Sequence, residues 1–255
     1  MPVNVNKPLE IAFCETIKND SFINDEATPN SEVWSLQFSP SGSILVWQSE
    51  QTRIKVMRWQ NSNNNELNLN RGEEFFFDET EHSCNKPTMT SARILEYCYG
   101  ETIWSLAFGT TKSCTKHKRL LHKPKTTVNV NTRFLLSKQD EYLILAVGLV
   151  TGKIKIYQVD EASCNLKLLF NIYDHKGIVN DLKFTKDGSL LLASASRDGT
   201  IKLWNMFDDG NLYKTLNCDG GRFYACDWSP TDSLLCGVGS NKKAIIWNTE
   251  TYNVN

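Results

Sequence analysis

Apolar and polar positions along the chain fall into a unit that occurs four times. Each unit opens with an apolar residue followed five positions later by an aromatic: VWSLQF at 33–38, IWSLAF at 103–108, VNDLKF at 179–184 and FYACDW at 223–228. Downstream of each comes a strand-like run (IKV at 54–56, IKI at 154–156, IKL at 201–203, AII at 244–246) that ends in Trp59, Tyr157, Trp204 or Trp247. Short apolar runs rich in β-branched and aromatic residues, bounded by Gly, Asp and Ser, predict strands. A repeated unit that cannot bury its own face predicts an array in which neighbours complete one another's core.

The third unit, 174–205, shows what one repeat is made of. Val179, Leu182 and Phe184 mark a first strand, Lys186 to Gly188 a turn, and Leu190 to Ser196 a second, buried strand. Arg197 to Gly199 make a tight hairpin, Ile201 to Trp204 a third strand, and Leu212 to Leu216 a fourth. Four short antiparallel strands per repeat make a propeller blade. The fold class expected is therefore all-β, a β-propeller with about four four-stranded blades. The aromatics expected to fill the blade cores are Trp34, Phe38, Trp59, Trp104, Phe108, Tyr157, Phe184, Trp228 and Trp247.

Spacing places the insertions. From Phe38 to Trp59 is 21 positions, from Phe184 to Trp204 is 20 and from Trp228 to Trp247 is 19, but from Phe108 to Tyr157 is 49. The domain plan is then an N-terminal segment 1–30, whose 7–17 stretch is a candidate ring-closing strand, followed by propeller blades over 31–255. Blade 1 takes about 31–60, an Asn-rich and acidic surface excursion 60–92, blade 2 about 93–170 with a basic insertion at 109–138, blade 3 about 174–216 and blade 4 about 218–255. The fourth strand of that last blade is not within the sequence, so an open arc with uncovered end faces is expected, and two such arcs can self-associate into one ring.

Unit three resembles a WD repeat. The resemblance places a hydrogen-bonded tetrad on His175, Ser194, Asp198 and Trp204, in which Asp198 orients His175, His175 bonds Ser194 and Ser194 meets the indole N–H of Trp204. Its role is structural, not catalytic. The other units lack it: Pro29, Tyr99 and Asp219 stand at the His position and Arg53, Thr151 and Asn241 at the Asp position.

Taken together, SEVWSLQFSPSGS (31–43), SILVW to Trp47, KVMRW to Trp59, IWSLAF (103–108), LAVGLVTGKIKIY (145–157) and SASRDGTIKLW (194–204) resemble a narrower family, the WD-repeat and SOCS-box-containing proteins. That resemblance implies a substrate receptor of a cullin-based ubiquitin ligase, acting in protein ubiquitination. In that family the propeller holds the protein to be ubiquitinated, and a C-terminal SOCS box docks elongin B and elongin C and through them a cullin. Such a subunit is not an enzyme; it supplies proximity, and partner subunits transfer the ubiquitin. The sequence contains no SOCS box, so elongin and cullin docking is assigned to no residue here.

Composition adds limits. The formal net charge of −1 argues against a global field for nucleic acid or anionic membrane. The first thirty residues carry neither a basic n-region nor an apolar run, and eight scattered cysteines show no paired spacing. A cytoplasmic or nuclear location with free thiols is expected. The insertion 109–138 holds eight Lys or Arg and no acid. It is read as a solvated basic loop or a site for an acidic protein, and as a nucleic-acid or chromatin contact only as the alternative, since it lacks interleaved aromatics for base stacking. Cys114, His117 and His122 within it are one ligand short of a structural zinc site, so no metal and no cofactor is expected. No nucleophile elbow or phosphate-binding glycine run is present. Partner-binding candidates are Arg53, Lys176, Arg197, Arg222, Tyr224 and Ser240, on the face formed by the loops between strands two and three and between successive blades.

Overall fold

The computed structural model describes residues 34–49, 51–58, 88–91, 94–112, 141–217 and 221–254. Their strands form four antiparallel sheets. The first contains β1 (Leu36–Phe38), β2 (Ile44–Ser49), β3 (Arg53–Arg58), β4 (Thr88–Ser91) and β5 (Ile94–Cys98), in the order β1-β2-β3-β5-β4. The second runs through β6 (Ile103–Thr110), β7 (Leu143–Leu149), β8 (Ile154–Val159) and β9 (Leu166–Ile172). The third is β10 (Val179–Phe184), β11 (Leu191–Ser196), β12 (Thr200–Asn205) and β13 (Asn211–Asn217). The fourth is β14 (Phe223–Trp228), β15 (Leu234–Gly239) and β16 (Ala244–Asn248), extended by a single bridge between Trp247 and Val254. Each sheet is one blade of an incomplete propeller; no ring closes among the described residues.

Alternation along the strands gives every blade two apolar faces, and neighbours mate face to face. Ile44, Val46, Ile54 and Val56 of blade 1 pack with Ile103, Leu106, Leu145 and Tyr157 of blade 2. The other face of blade 2, with Ile144, Ala146, Ile154 and Ile156, meets Val179, Leu182, Phe184 and Trp204. The far face of blade 3, with Leu191, Ala193, Ile201 and Leu203, meets Phe223, Cys226, Trp228 and Trp247. Fully burying one such aliphatic or aromatic side chain is worth about 1.5–3 kcal/mol, which is why three such junctions hold the arc together. Gly109 in β6 makes room at one of them: a Cβ there would stand 2.6 Å from Cγ of Phe184.

Polar ties along the innermost strands fix how far each blade turns from the last. The Ser105 hydroxyl donates to the Val179 carbonyl at 2.9 Å, and the Trp228 indole N–H donates to the Lys183 carbonyl at 3.0 Å. Asp181 accepts from the Cys226 N–H at 3.1 Å. Burial pushes the Asp181 carboxyl up, against the opposing pull of Lys183 and the N–H groups of Cys226 and Leu182.

The blade plan differs from the sequence reading in three places. Residues 94–98 complete blade 1 rather than opening blade 2, because β5 pairs with β3 (Arg53 opposite Cys98, Ile54 opposite Tyr97) and the Tyr99 N–H bonds the Thr52 carbonyl at 2.8 Å. The stretch read as an excursion, 60–92, contains β4, which pairs with β5. Gly109 and Thr110, assigned to the basic insertion, are the last residues of β6. Phe38 is a further correction: it is 48% exposed, and its strand neighbour Leu36 57% exposed. Both lie on the outer face of blade 1, which no preceding blade covers among the described residues. The opposite end is similar, with Val238 and Ile246 exposed on the outer face of blade 4.

Of the other expected core aromatics, Tyr157, Phe184, Trp228 and Trp247 are buried, and Phe108 is partly buried against the first junction. Trp59 lies outside the described residues, as do the N-terminal segment 1–30, most of the basic insertion, and Cys114, His117 and His122 with it. Among the described residues no group of His, Cys, Asp and Glu could hold a metal ion, and no helix is long and apolar enough to cross a membrane. Cys164, Cys226 and Cys236 are free thiols.

Candidate functional site

The β11–β12 hairpin organises one end of blade 3. Its turn closes with the Gly199 N–H on the Ser196 carbonyl at 3.3 Å, and Gly199 sits at φ 89°, a conformation open to glycine. Asp198 is thereby aimed back at the segment before β10. Its Oδ2 lies 2.7 Å from His175 Nδ1 and accepts from the Lys176 N–H at 3.1 Å, and its Oδ1 accepts from the Thr200 N–H and hydroxyl. On the far side of the ring His175 Nε2 is 2.7 Å from Ser194 Oγ, which also accepts from Trp204 Nε1 at 2.8 Å. An ionised carboxylate has no proton to give, so Nδ1 donates to Asp198, and Nε2 of the neutral ring accepts from the Ser194 hydroxyl. Burial works against the charge of Asp198, but the bonds from His175 and Thr200, the nearby His175 and the Lys176 N–H outweigh it and hold the carboxyl well below the usual carboxylate range. His175 and Ser194 are buried, so these two side chains tie loop to strands and are shielded from solvent.

What does face solvent at this end comes from an irregularity repeated in the innermost strands. In β6, β10 and β14 the pairing with the next strand shifts by one residue between Ile103 and Ser105, between Val179 and Asp181, and between Phe223 and Ala225. The skipped residues are Trp104, Asn180 and Tyr224. A bulge adds one residue to one strand and turns its side chain out of the pleat. Trp34 stands at the same place in blade 1.

These side chains form a row across the blades. Trp34 and Trp104 stack with centroids 5.9 Å apart and planes 15° apart. The Arg197 guanidinium carbon lies 5.2 Å from the Trp104 ring centroid, and Arg197 Nε donates to Asn180 Oδ1 at 3.3 Å. Asn180 Nδ2 then donates to the Phe223 carbonyl in blade 4 at 2.6 Å. Beyond it Tyr224 is 50% exposed, and Trp34 is 60% exposed. Trp34 and Trp104, expected in the core, are therefore rim residues: at Trp104 the bulge reverses the phase of the strand, and Trp34, just before β1, stacks on it.

The partner-binding candidates fall into two groups. Arg197, Arg222 and Ser240 line one cavity of about 470 Å³ between the β11–β12 and β15–β16 hairpins. There the Arg222 N–H donates to Ser240 Oγ, and the Ser240 N–H to the Arg222 carbonyl, both at 2.9 Å. Tyr224 follows two positions on. Lys176 is exposed but outside that cavity, and Arg53 begins β3 at blade 1, half-buried. The sequence reading missed Asn180, Trp34 and Trp104 as surface residues. The signal was present: buried anchors five positions apart, as Val179 and Phe184 are, share one face only when the strand carries an extra residue.

Comparison with known proteins agrees with this geometry. The family model described as WD domain, G-beta repeat, matches residues 166–205 and 210–248. Each match starts at the outermost strand of one blade (β9 or β13) and ends in the third strand of the next, so the sequence repeat straddles two blades and links them covalently. WD repeat and SOCS box-containing protein 1 from Homo sapiens is 34% identical over 87% of this chain and 50% of its own length. The proteins of the same name from Xenopus tropicalis and Danio rerio are 34% and 32% identical, again over 87% of this chain and 50% of theirs. The chain thus spans about half the length of these relatives. With its blades, its two matched repeats and this similarity, the chain carries WD repeats and is similar, over about half of their length, to the WD repeat and SOCS box-containing proteins.

Proposed function

We propose that this chain is a protein-interaction scaffold that holds a client protein for ubiquitination, as the non-catalytic receptor part of a SOCS-box cullin ligase, in the cytoplasm or nucleus. The relatives' name supports the ligase context. The observation that carries the binding role is the row of side chains at one end: Trp104, Asn180 and Tyr224 at successive bulges, Trp34 stacked on Trp104, and Arg197 over Trp104. Aromatic residues and arginine are the types that dominate interface energetics, and here their mutual contacts hold them in place before binding, so little ordering cost accompanies it. Elongin B, elongin C and a cullin are the partners the relatives' SOCS box implies; no residue of this chain is assigned to them.

A photo-reactive phenylalanine analogue placed at Tyr224, in cells, tests the reading. It is expected to cross-link a client whose ubiquitination rises with expression of the chain and its ligase partners. The same analogue at Lys167, on the outermost strand of blade 2, is expected to capture far less. Equal capture at the two positions would remove the reading.

A further inference from the structure

We propose that the cavity between the β11–β12 and β15–β16 hairpins takes the side-chain carboxylate of a client segment, a Glu or Asp flanked by apolar residues. This inference rests on the client-binding role above and specifies its chemistry.

Arg197 is fixed before any ligand arrives. Its flat guanidinium lies over Trp104, and its Nε is committed to Asn180 Oδ1, which leaves the two terminal amino groups without an acceptor among the described residues. That is the edge of a guanidinium that grips a carboxylate with two parallel N–H···O bonds. Across the cavity, the exposed Arg222 side chain makes no hydrogen bond or ion pair among the described residues. Ser240 Oγ, having accepted the Arg222 N–H, still has its own hydroxyl proton to donate.

Charge selects the ligand. Asp198 also lines the cavity, but both its oxygens are occupied, by His175 and the Lys176 N–H on one side and by Thr200 on the other. It stays ionised. Two guanidinium groups and one carboxylate leave one net positive charge among the described lining residues, which a single carboxylate neutralises. The second charge of a phosphate monoester would sit unbalanced beside Asp198. The exposed Tyr224 and the Trp34–Trp104 stack give apolar surface for the flanking residues of the segment.

The test uses the whole chain and fluorescein-labelled peptide pools with randomised apolar flanks and a central Glu, Asp, Gln, Lys or phosphoserine, read by fluorescence anisotropy. The Glu and Asp pools are expected to bind at least about tenfold more tightly than the Gln pool, the size of a charge-assisted bond. Arg197→Gln and Arg222→Gln should each remove most of that preference while the melting temperature stays near that of the parent. Arg222→Lys should keep part of it. Equal binding of the Glu and Gln pools, preference for the phosphoserine pool, or a preference that survives both arginine substitutions would each overturn the proposal. If Tyr224 still cross-links a client in cells while the pools show no carboxylate preference, the client-binding role stands and the carboxylate specificity falls.

Discussion

The guanidinium carbon of Arg197 lies 5.2 Å from the ring centroid of Trp104, so a hairpin of blade 3 reaches back over the innermost strand of blade 2. The blade junction is thus capped by a cation–π contact at its rim, on top of the aliphatic packing beneath. Because Trp104 also stacks on Trp34, three blades share one surface layer.

A double-mutant cycle with Arg197→Ala and Trp104→Ala is expected to give a coupling of about 0.5–1 kcal/mol in urea unfolding, the range for a cation–π pair open to solvent. Arg197→Lys keeps the charge but loses both the planar overlap and the Nε bond to Asn180. It should recover less than half of the coupling. Additive single effects would show that the contact contributes nothing to stability.

Removing His175 should cost far more than removing any rim residue. His175→Ala leaves Asp198, a charged group, and Ser194, fully buried, each without one partner. A loss of about 2–4 kcal/mol is expected from stranding such groups. Lys176→Ala, one position on and exposed, should stay within about 0.5 kcal/mol, since only its backbone N–H takes part. Urea midpoints of the two variants measure the contrast directly.

The same constellation predicts acid sensitivity of a definite sign. The Asp198 carboxyl is held below its unfolded-state value, with burial opposing and the bonds from His175 and Thr200 prevailing. Its contribution is therefore fully present above the unfolded-state pKa of about 4 and is lost as the pH falls through the lower folded value. Stability measured between pH 6 and pH 2 should decline in the parent chain and decline less steeply in Asp198→Asn. Parallel profiles would count against the assignment.

Legibility from sequence divides along a physical line. What is local within one repeat is readable: the Arg197–Gly199 turn, the strands it joins and the spacing of buried anchors all lie within a few residues. What depends on distance along the chain is not. The fourth strand of blade 1, β5, follows its partner β3 only after a gap of about thirty-five residues, and nothing in ILEYC says which blade it joins. The rim residues failed for a subtler reason. Trp34 and Trp104 look like core aromatics by type, and at Trp104 only the odd interval between anchors betrays the bulge that turns it outward. The cavity at Arg197 and Arg222 needs two blades juxtaposed, which no single repeat encodes.

Equivalent aromatics should differ sharply in what their loss costs. Phe184 fills the junction between blades 2 and 3, against the gap left by Gly109, whereas Phe38 at the same place in blade 1 is 48% exposed. Phe184→Ala should cost about 3–5 kcal/mol, as for a buried aromatic, and Phe38→Ala in this chain less than about 1 kcal/mol. Phe38→Lys should in addition reduce binding of a dye that reports exposed apolar surface. Equal costs at the two positions would mean that the outer face of blade 1 is covered in solution.

The bulge itself can be tested by deletion. In β14 the buried residues are Phe223, Cys226 and Trp228, and the extra residue between the first two falls at Tyr224. Without Tyr224 the strand becomes Phe-Ala-Cys-Asp-Trp, in which the three buried residues alternate on one face with no bulge needed. Deleting Tyr224 should therefore preserve the junction with blade 3 at a cost of about 1 kcal/mol, or about 2–4 °C in melting temperature for a chain of this size. Inserting a glycine after Cys226 instead sets Cys226 and Trp228 three positions apart, on opposite faces of the strand. It should unfold blade 4 locally, seen as loss of amide-exchange protection in β14 to β16. Deletion that unfolds the blade as badly as insertion would show that the bulge is needed for packing and not only for turning Tyr224 toward a partner.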